Sequence, residues 1–348
     1  MKNKTVKRVL LVLLSVAVLA GFIVFDPDVK KIDDVLAAMS PWWLAGALIC
    51  VFIYYLGDTG MYLIGSYAMG IPQGFFQGLL TTMIGFFYSA VTPLASGGQP
   101  FQVLHMRGRG INVGTATSVL MVKFLAWHIT ITLFGLVGFT LLWQDLASIG
   151  TGMTVLFCIG FCVHAFCASL GVMLMIKPDF VRRAGLRVIG WVGRTFCKRK
   201  LDNGIPGMTA AYERFIADYE QAASFALQRK GCMLLILLVA FFEVLAYLST
   251  TYFIYRGLGF DKVGYWTMLL MQAMLSIAVA FIPLPGASGA SEGGFYALFT
   301  QFFDGARLPA MLIWRALTYY LTILLGLIAV VIDGFQKKHG RADKDVSC

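Results

Sequence analysis

T-P-L-A-S-G-G-Q-P (residues 92–100) and P-L-P-G-A-S-G-A-S-E-G-G (residues 283–294) break two otherwise apolar stretches of this chain. Prolines and glycines at that density cannot continue a straight helix. Their flanks decide the fold. Apolar runs cover residues 9–25, 41–66, 72–91, 113–143 and 151–176, and then 231–255, 265–282 and 309–332. A run of about 20 apolar residues at 1.5 Å rise crosses a bilayer core. Backbone groups released from a helix inside hydrocarbon cost several kcal/mol each, so the two breaks must lie within protein or line a wet cavity. The pattern predicts an all-α polytopic membrane bundle of about eight spanning helices with two re-entrant or half-helix segments.

The two breaks also look alike. Pro93 and Pro283 are 190 residues apart, and at that offset the helix starting at Pro41 matches the one starting at Gly231. Each half reads span, span, break, span. The topology below orients the halves oppositely, which is the signature of an inverted-topology repeat. The domain reading is an N-terminal anchor helix and outer amphipathic segment (1–40), a first membrane repeat with a linking helix (41–176), a basic loop with an amphipathic helix (177–230), a second membrane repeat (231–335) and a tail (336–348).

Composition agrees with this reading. Hydrophobic residues make up 59% and charged residues 13%, against about 25% charged in a soluble domain. The net charge of +10 is concentrated in the polar segments between spans, which fits the positive-inside rule and contact with anionic headgroups. No motif that reads RNA or DNA is present, so nucleic acid is excluded as a partner. If the chain turns back after Thr92, the inner segments hold 21 Lys and Arg and the outer ones five. Both termini and the central loop are therefore expected on the cytoplasmic side of a bacterial-type cell membrane. Lys2, Lys4, Lys7 and Arg8 precede the first apolar run in the manner of a signal peptide, but the length of that run favours an uncleaved helix. The seven cysteines form no C-x-x-C pair, so neither metal nor cofactor is expected. The run C-I-G-F-C-V-H-A-F-C (158–167) reads as helix packing.

Ionisable groups at membrane depth are costly and tend to pair or face water. Asp58 and Glu243 lie in matching spans, and Lys123 and Arg315 in the last spans of their halves. Asp58–Lys123 and Glu243–Arg315 are the expected pairs, serving either helix packing or substrate contact. Glu292 sits in the second break. His105, Arg107 and Arg109 follow the first and suit a phosphate, Arg through its planar fork of donors. His128, next to Trp127, reads as a hydrogen-bonded packing residue, with a proton carrier as the alternative. No G-x-S-x-G, H-E-x-x-H or phosphate-loop pattern appears, and the longest polar stretch is short for a catalytic domain.

T-P-L-A-S-G-G-Q-P-F-Q (92–102) followed by M-R-G-R-G, P-L-P-G-A-S-G-A-S-E-G-G-F (283–295) and W-R-A-L-T-Y-Y (314–320) together resemble the flippase-like membrane domain of lysylphosphatidylglycerol synthase, the multiple peptide resistance factor family. The resemblance covers nearly the whole chain. It implies translocation of an anionic or aminoacylated phospholipid such as lysylphosphatidylglycerol, with antimicrobial-peptide resistance as the family's role. In the bifunctional enzymes a soluble domain makes the lipid. This sequence ends at Cys348 without one, so a stand-alone, non-enzymatic form is expected although the family label is phosphatidylglycerol lysyltransferase. The implied headgroup site draws on Thr92, Pro93, Gly97, Gly98, Gln99, Arg107, Arg109, Pro283, Gly286, Ser288, Gly289, Glu292 and Arg315. Membrane phospholipid is the expected partner, with a separate aminoacyltransferase or glycosyltransferase as the alternative setting and oligomerisation left open.

Overall fold

A computed structural model describes residues 35, 37–144, 150–196 and 204–346. The expected first helix at residues 9–25 lies outside them. Helix α1 is Pro41–Ala68 and α2 is Phe75–Ala90. A 3-10 turn at Pro93–Ala95 leads into α3, Gly98–Arg107. Then come α4 (Val113–Leu141), α5 (Thr151–Ile176), α6 (Pro178–Phe196) and α7 (Gly204–Gln228). The second half contains α8 (Lys230–Gly257), α9 (Tyr265–Val279), a 3-10 turn at Pro285–Ala287 and α10 (Ala290–Phe299). The chain finishes with α11 (Arg307–Arg315), a π-helical turn at Ala316–Tyr320 and α12 (Leu321–Val346).

Among the described residues, five helices are long and apolar enough to cross a membrane: α1, α4, α5, α8 and the continuous α11–α12 rod. They turn Ile49, Phe52, Leu136, Phe166, Leu234, Phe242 and Ile328 outward. An apolar surface of that extent needs lipid to cover it. The protein is a multi-pass α-helical membrane protein. Helices α2 and α9 are shorter, at 16 and 15 residues, and span only about 24 and 22 Å. Residues 72–91 and 265–282, read from sequence as full spans, are instead the inbound arms of hairpins.

The hairpin geometry follows from side-chain register. Gln102 Nε2 of α3 donates to Thr81 O of α2 at 3.1 Å, and Arg109 Nη1 donates to Gln77 Oε1. Thus α3 runs back along α2 and ends at the level where α2 began. In the second half, Gly294 of α10 packs against Leu275 and Val279 of α9, which gives the same reversal.

Helices α1 and α8 carry the inversion. Both have 28 residues and they cross antiparallel. Ser40 N donates to Gly257 O at 2.9 Å, Gly46 meets Phe253, Gly57 meets Glu243 and Gly60 meets Val239. An Arg–aromatic contact closes each end: Arg256 over Trp43 and Arg229 over Tyr67, both 5.2 Å from the ring centroid. The hairpins that follow α1 and α8 therefore enter from opposite faces. Together they are about as long as α1 alone, near 42 Å, so their tips meet inside the layer. The two 3-10 turns are in direct contact.

The halves interlock. Helix α12 packs along α2, and α4 packs along α9. Close approach is achieved at Gly326, against Met83 and Phe87, and at Gly135, against Ile277. The amphipathic stretch read at residues 208–227 becomes α7, which lies on the bundle. Its Ile216, Tyr219, Ala222 and Ala223 are buried, and Ser118 Oγ of α4 donates to Tyr219 O at 3.2 Å. Burial pushes the Tyr219 phenol up to about 12.

At the α1–α8 crossing, a Cβ added to Gly57 would stand 2.8 Å from Glu243 Cβ, whereas one added to Gly60 would stand at an ordinary 3.7 Å from Val239. Gly57→Ala is expected to cost about 1–3 kcal/mol by forcing the helices apart, and Gly60→Ala to be near neutral. Unfolding titrations of the two variants in mixed micelles check the difference.

Candidate functional site

The meeting point of the two hairpin tips is where non-helical backbone, buried charge and both halves of the repeat converge. Each turn opens with proline, at Pro93 and at Pro285. The sequence alignment of Pro93 with Pro283 is thereby corrected: Pro283 is an exposed residue before the turn, and Pro285 is the buried equivalent. The dihedral angles fix the register. Thr92 (φ −121°, ψ 146°) matches Leu284 (−118°, 147°), and Leu94 (54°, 23°) matches Gly286 (57°, 20°). Ala95 and Ala287 follow at φ 51° and 48°. Ser96 and Ser288 each donate Oγ–H to the carbonyl of their own turn proline at 2.8 Å. P-L-A and P-G-A share one backbone turn, which holds Leu94, Ala95 and Ala287 in a left-handed conformation that L side chains rarely adopt; the paths part at the serine, where ψ is −16° in Ser96 and 140° in Ser288.

The chemistry of the tips differs. In the first, Thr92 Oγ1 donates to Tyr88 O at 2.6 Å and accepts from Gly97 N at 2.8 Å. Gly97 and Gly98 are buried, while Leu94, Ala95, Ser96, Gln99 and Pro100 are exposed. In the second, Gly289 N donates to Glu292 Oε2 at 2.6 Å, capping α10. Arg315 then closes over the same carboxylate, with Nε and Nη2 each 2.7 Å from Glu292 Oε1. Arg315 Nη2 also donates to Gly286 O at 3.0 Å, tying the ion pair to the turn. Glu292 is 1% exposed and Arg315 4%. The pair is buried and is tied to the turn that touches the exposed first tip.

Aromatic residues complete the enclosure. The Arg315 guanidinium lies 5.2 Å from the Trp314 ring and 5.0 Å from the Tyr319 ring. The π-helical turn swings Tyr319 so that its hydroxyl donates to Ala90 O, the last residue of α2, at 3.1 Å. Such π-turns are common where a helix must aim a side chain at a site. Gly286 has no room for a Cβ, which would stand 2.2 Å from the Tyr319 ring. Sequence reading did not find Tyr319 or Trp314 as separate contributors; their signal was the aromatic run flanking Arg315, W-R-A-L-T-Y-Y.

A second buried charge cluster lies at the α1–α8 crossing. Lys123 Nζ of α4 donates to Asp58 Oδ1 of α1 at 2.7 Å. The expected Glu243–Arg315 pair does not form. Arg315 is taken by Glu292 of the preceding helix, and Glu243 is held over Gly57 next to Asp58 and Lys123. Lys123 and Arg315 are nonetheless repeat equivalents, each thirty residues beyond the proline that opens its turn.

The basic residues after the first break are placed elsewhere. Helix α3 carries them about 15 Å from the tip. There His105 Nδ1 lies 3.0 Å from Asp333 Oδ1, Arg109 reaches Gln77, and Arg107 is exposed. His128 faces His164 with ring centroids 5.1 Å apart and contacts Phe124 O through Nδ1 at 2.9 Å. No group of three or more His, Cys, Asp or Glu residues that suits a metal occurs among the described residues.

The profile of the lysylphosphatidylglycerol synthase TM region matches residues 12–326, which include both tips and the helices that bear Lys123 and Arg315. The chain belongs to that family. A "UPF0104 membrane protein" of Archaeoglobus fulgidus is 25% identical over 334 residues, covering 92% of this chain and 94% of that relative.

Removing Arg315 leaves a buried carboxylate unpaired, which costs about 3–5 kcal/mol. Arg315→Met is expected to lose that much stability, and Arg315→Met with Glu292→Met to regain most of it, because an apolar pair of similar volume replaces a buried ion pair at little cost. A double-mutant cycle on unfolding in mixed micelles measures both values.

Proposed function

We propose that this protein moves an anionic or aminoacylated phospholipid, such as lysylphosphatidylglycerol, between the leaflets of a cell membrane, with the paired hairpin tips as the headgroup site. The supporting observation is the Glu292–Arg315 pair clamped to one tip beside the open backbone of the other. A phosphodiester crossing hydrocarbon unaided carries a heavy desolvation penalty. Arg315 offers a planar fork of donors already drawn out of water and braced by two aromatic rings. A headgroup phosphate takes the place of Glu292 on that fork, as guanidinium–phosphate pairs are bidentate and short. The released carboxylate then suits an ammonium group on the same headgroup. The acyl chains stay in the bilayer throughout.

In this reading the α3 end with Arg107 and Arg109, the basic α6–α7 region and both termini face the cytoplasm. Arg107 and Arg109 then act at the entrance, attracting anionic lipid at the surface. The family's description as the membrane region of a synthase favours a second reading, in which the chain is the membrane part of a lipid-modifying or polyprenyl-glycan system whose transferase is a separate protein.

The test is reconstitution of the full chain into phosphatidylcholine vesicles containing leaflet-labelled phosphatidylglycerol or lysylphosphatidylglycerol. The labelled lipid should exchange faster than in protein-free vesicles, and Arg315→Gln should slow it about tenfold or more, the loss of one charge-assisted contact. Leaflet distributions identical with and without protein for every lipid tried would reject translocation.

A further inference from the structure

Glu243 lies midway along the 28 residues of α8, about 20 Å from either end. It is 1% exposed, and neither carboxylate oxygen has a hydrogen-bond partner among the described residues. Its stem is wedged against Gly57, so the side chain cannot rotate out along that face. Two charged groups act on it: Asp58 from α1 and Lys123 from α4. Lys123 is already committed to Asp58 Oδ1 at 2.7 Å. Tyr54 of α1 lies beside both acids, and its ring packs 5.2 Å from Tyr247, one turn beyond Glu243 on α8. Ser276 of α9 and Arg315 of α11 act on Tyr247, and Arg315 is neutralised by Glu292.

The charge count separates the two clusters. Glu292 and Arg315 balance one to one. Asp58, Lys123 and Glu243 set two acids against one base, at the depth where a net charge is least tolerable. A third partner of single positive charge is required. Lys123 is bonded to Asp58 Oδ1, neither Glu243 oxygen has a hydrogen-bond partner, and no group of three or more metal-suited side chains occurs among the described residues. A proton is the ligand that fits.

We infer that Glu243 is a proton-binding site and that loss of its proton is coupled to the working cycle of the hairpin site. In the packed state the Glu243 Oε–H bond is intact. When α1 and α8 part enough to admit water, that bond breaks, its electron pair stays on the carboxylate and the proton passes to water. Lys123 then faces two carboxylates instead of one and is drawn from Asp58 towards α8. Through α4, which packs along α9, that shift reaches the second hairpin. The proton site stands on the geometry alone; its coupling to lipid movement rests on the function proposed above.

Infrared spectra of the full chain in phosphatidylcholine–phosphatidylglycerol vesicles test the site directly. A protonated-carboxyl carbonyl band should be present at neutral pH, vanish in Glu243→Gln and persist in Asp58→Asn. If the Gln variant does not assemble, Glu243→Asp should shift the band. A missing band in the unaltered protein, or a band that neither Glu243 variant changes, overturns the site. In the same vesicles an imposed pH gradient should change the rate of labelled-phosphatidylglycerol movement several-fold, and Glu243→Gln should abolish that response. Movement that ignores the gradient in the unaltered protein overturns the coupling. An absence of any lipid movement overturns the translocase reading, while the infrared assignment is judged separately.

Discussion

A backbone N–H or C=O that leaves a helix inside hydrocarbon has no solvent to accept it. Two hairpins that stop partway across the membrane are permissible here because side chains around the tips take up backbone groups that the breaks release. The turn hydroxyls of Ser96 and Ser288 fold back on their own prolines. The carbonyl of Gly286 is taken by Arg315 and that of Ala90 by Tyr319. The packing of α12 on α2 and of α4 on α9 then encloses the arms. A charge buried at the tips is thus part of how the backbone is satisfied.

The two turns share a backbone as far as Ala95 and Ala287 and differ in chemistry. Leu94 and Gly286 share dihedral angles, yet only the second turn is roofed by Tyr319 and needs glycine for that reason. Pro100 stands in the first hairpin where Glu292 caps the second. Lys123 reaches across to a span helix for Asp58, while Arg315 stays with its own hairpin. One half therefore presents an open, weakly polar tip and the other a closed, charged one. Two copies of one scaffold have come to carry unlike tips that touch.

Much of this was legible in the sequence. The breaks at residues 92–100 and 283–294, the turning back of the chain so that Arg107 and Arg109 share a side with the start of α2, and the opposite orientation of α1 and α8 all follow from hydropathy, Pro/Gly content and the placement of Lys and Arg. The register of the repeat did not, because I-P-L-P offers two prolines and only backbone angles tell which one opens the turn. The partner of Arg315 was also misassigned. Pairing by span favoured Glu243, but the motif G-A-S-E placed Glu292 three residues after a helix cap, where a glutamate folds back on the helix start. The isolation of Glu243 depends on a glycine of another helix and leaves no trace in local pattern. The roles of Tyr319, Tyr54 and Tyr247 depend on a π-turn and a helix crossing, neither of which has a sequence period.

The exchange of supports between the halves has a bearing on how the chain is made. Hairpin α2–α3 leaves the ribosome long before α12 exists, yet α12 is the wall it leans on. Until the C-terminal rod has been inserted, Met83, Phe87, Tyr55 and the first tip face whatever the insertion machinery offers in its place; afterwards Gly326 packs on Met83 and Phe87, Thr322 bonds Tyr55 at 2.7 Å and Tyr319 reaches Ala90. The N-terminal half therefore reaches its packed form only once α12 is in place beside it.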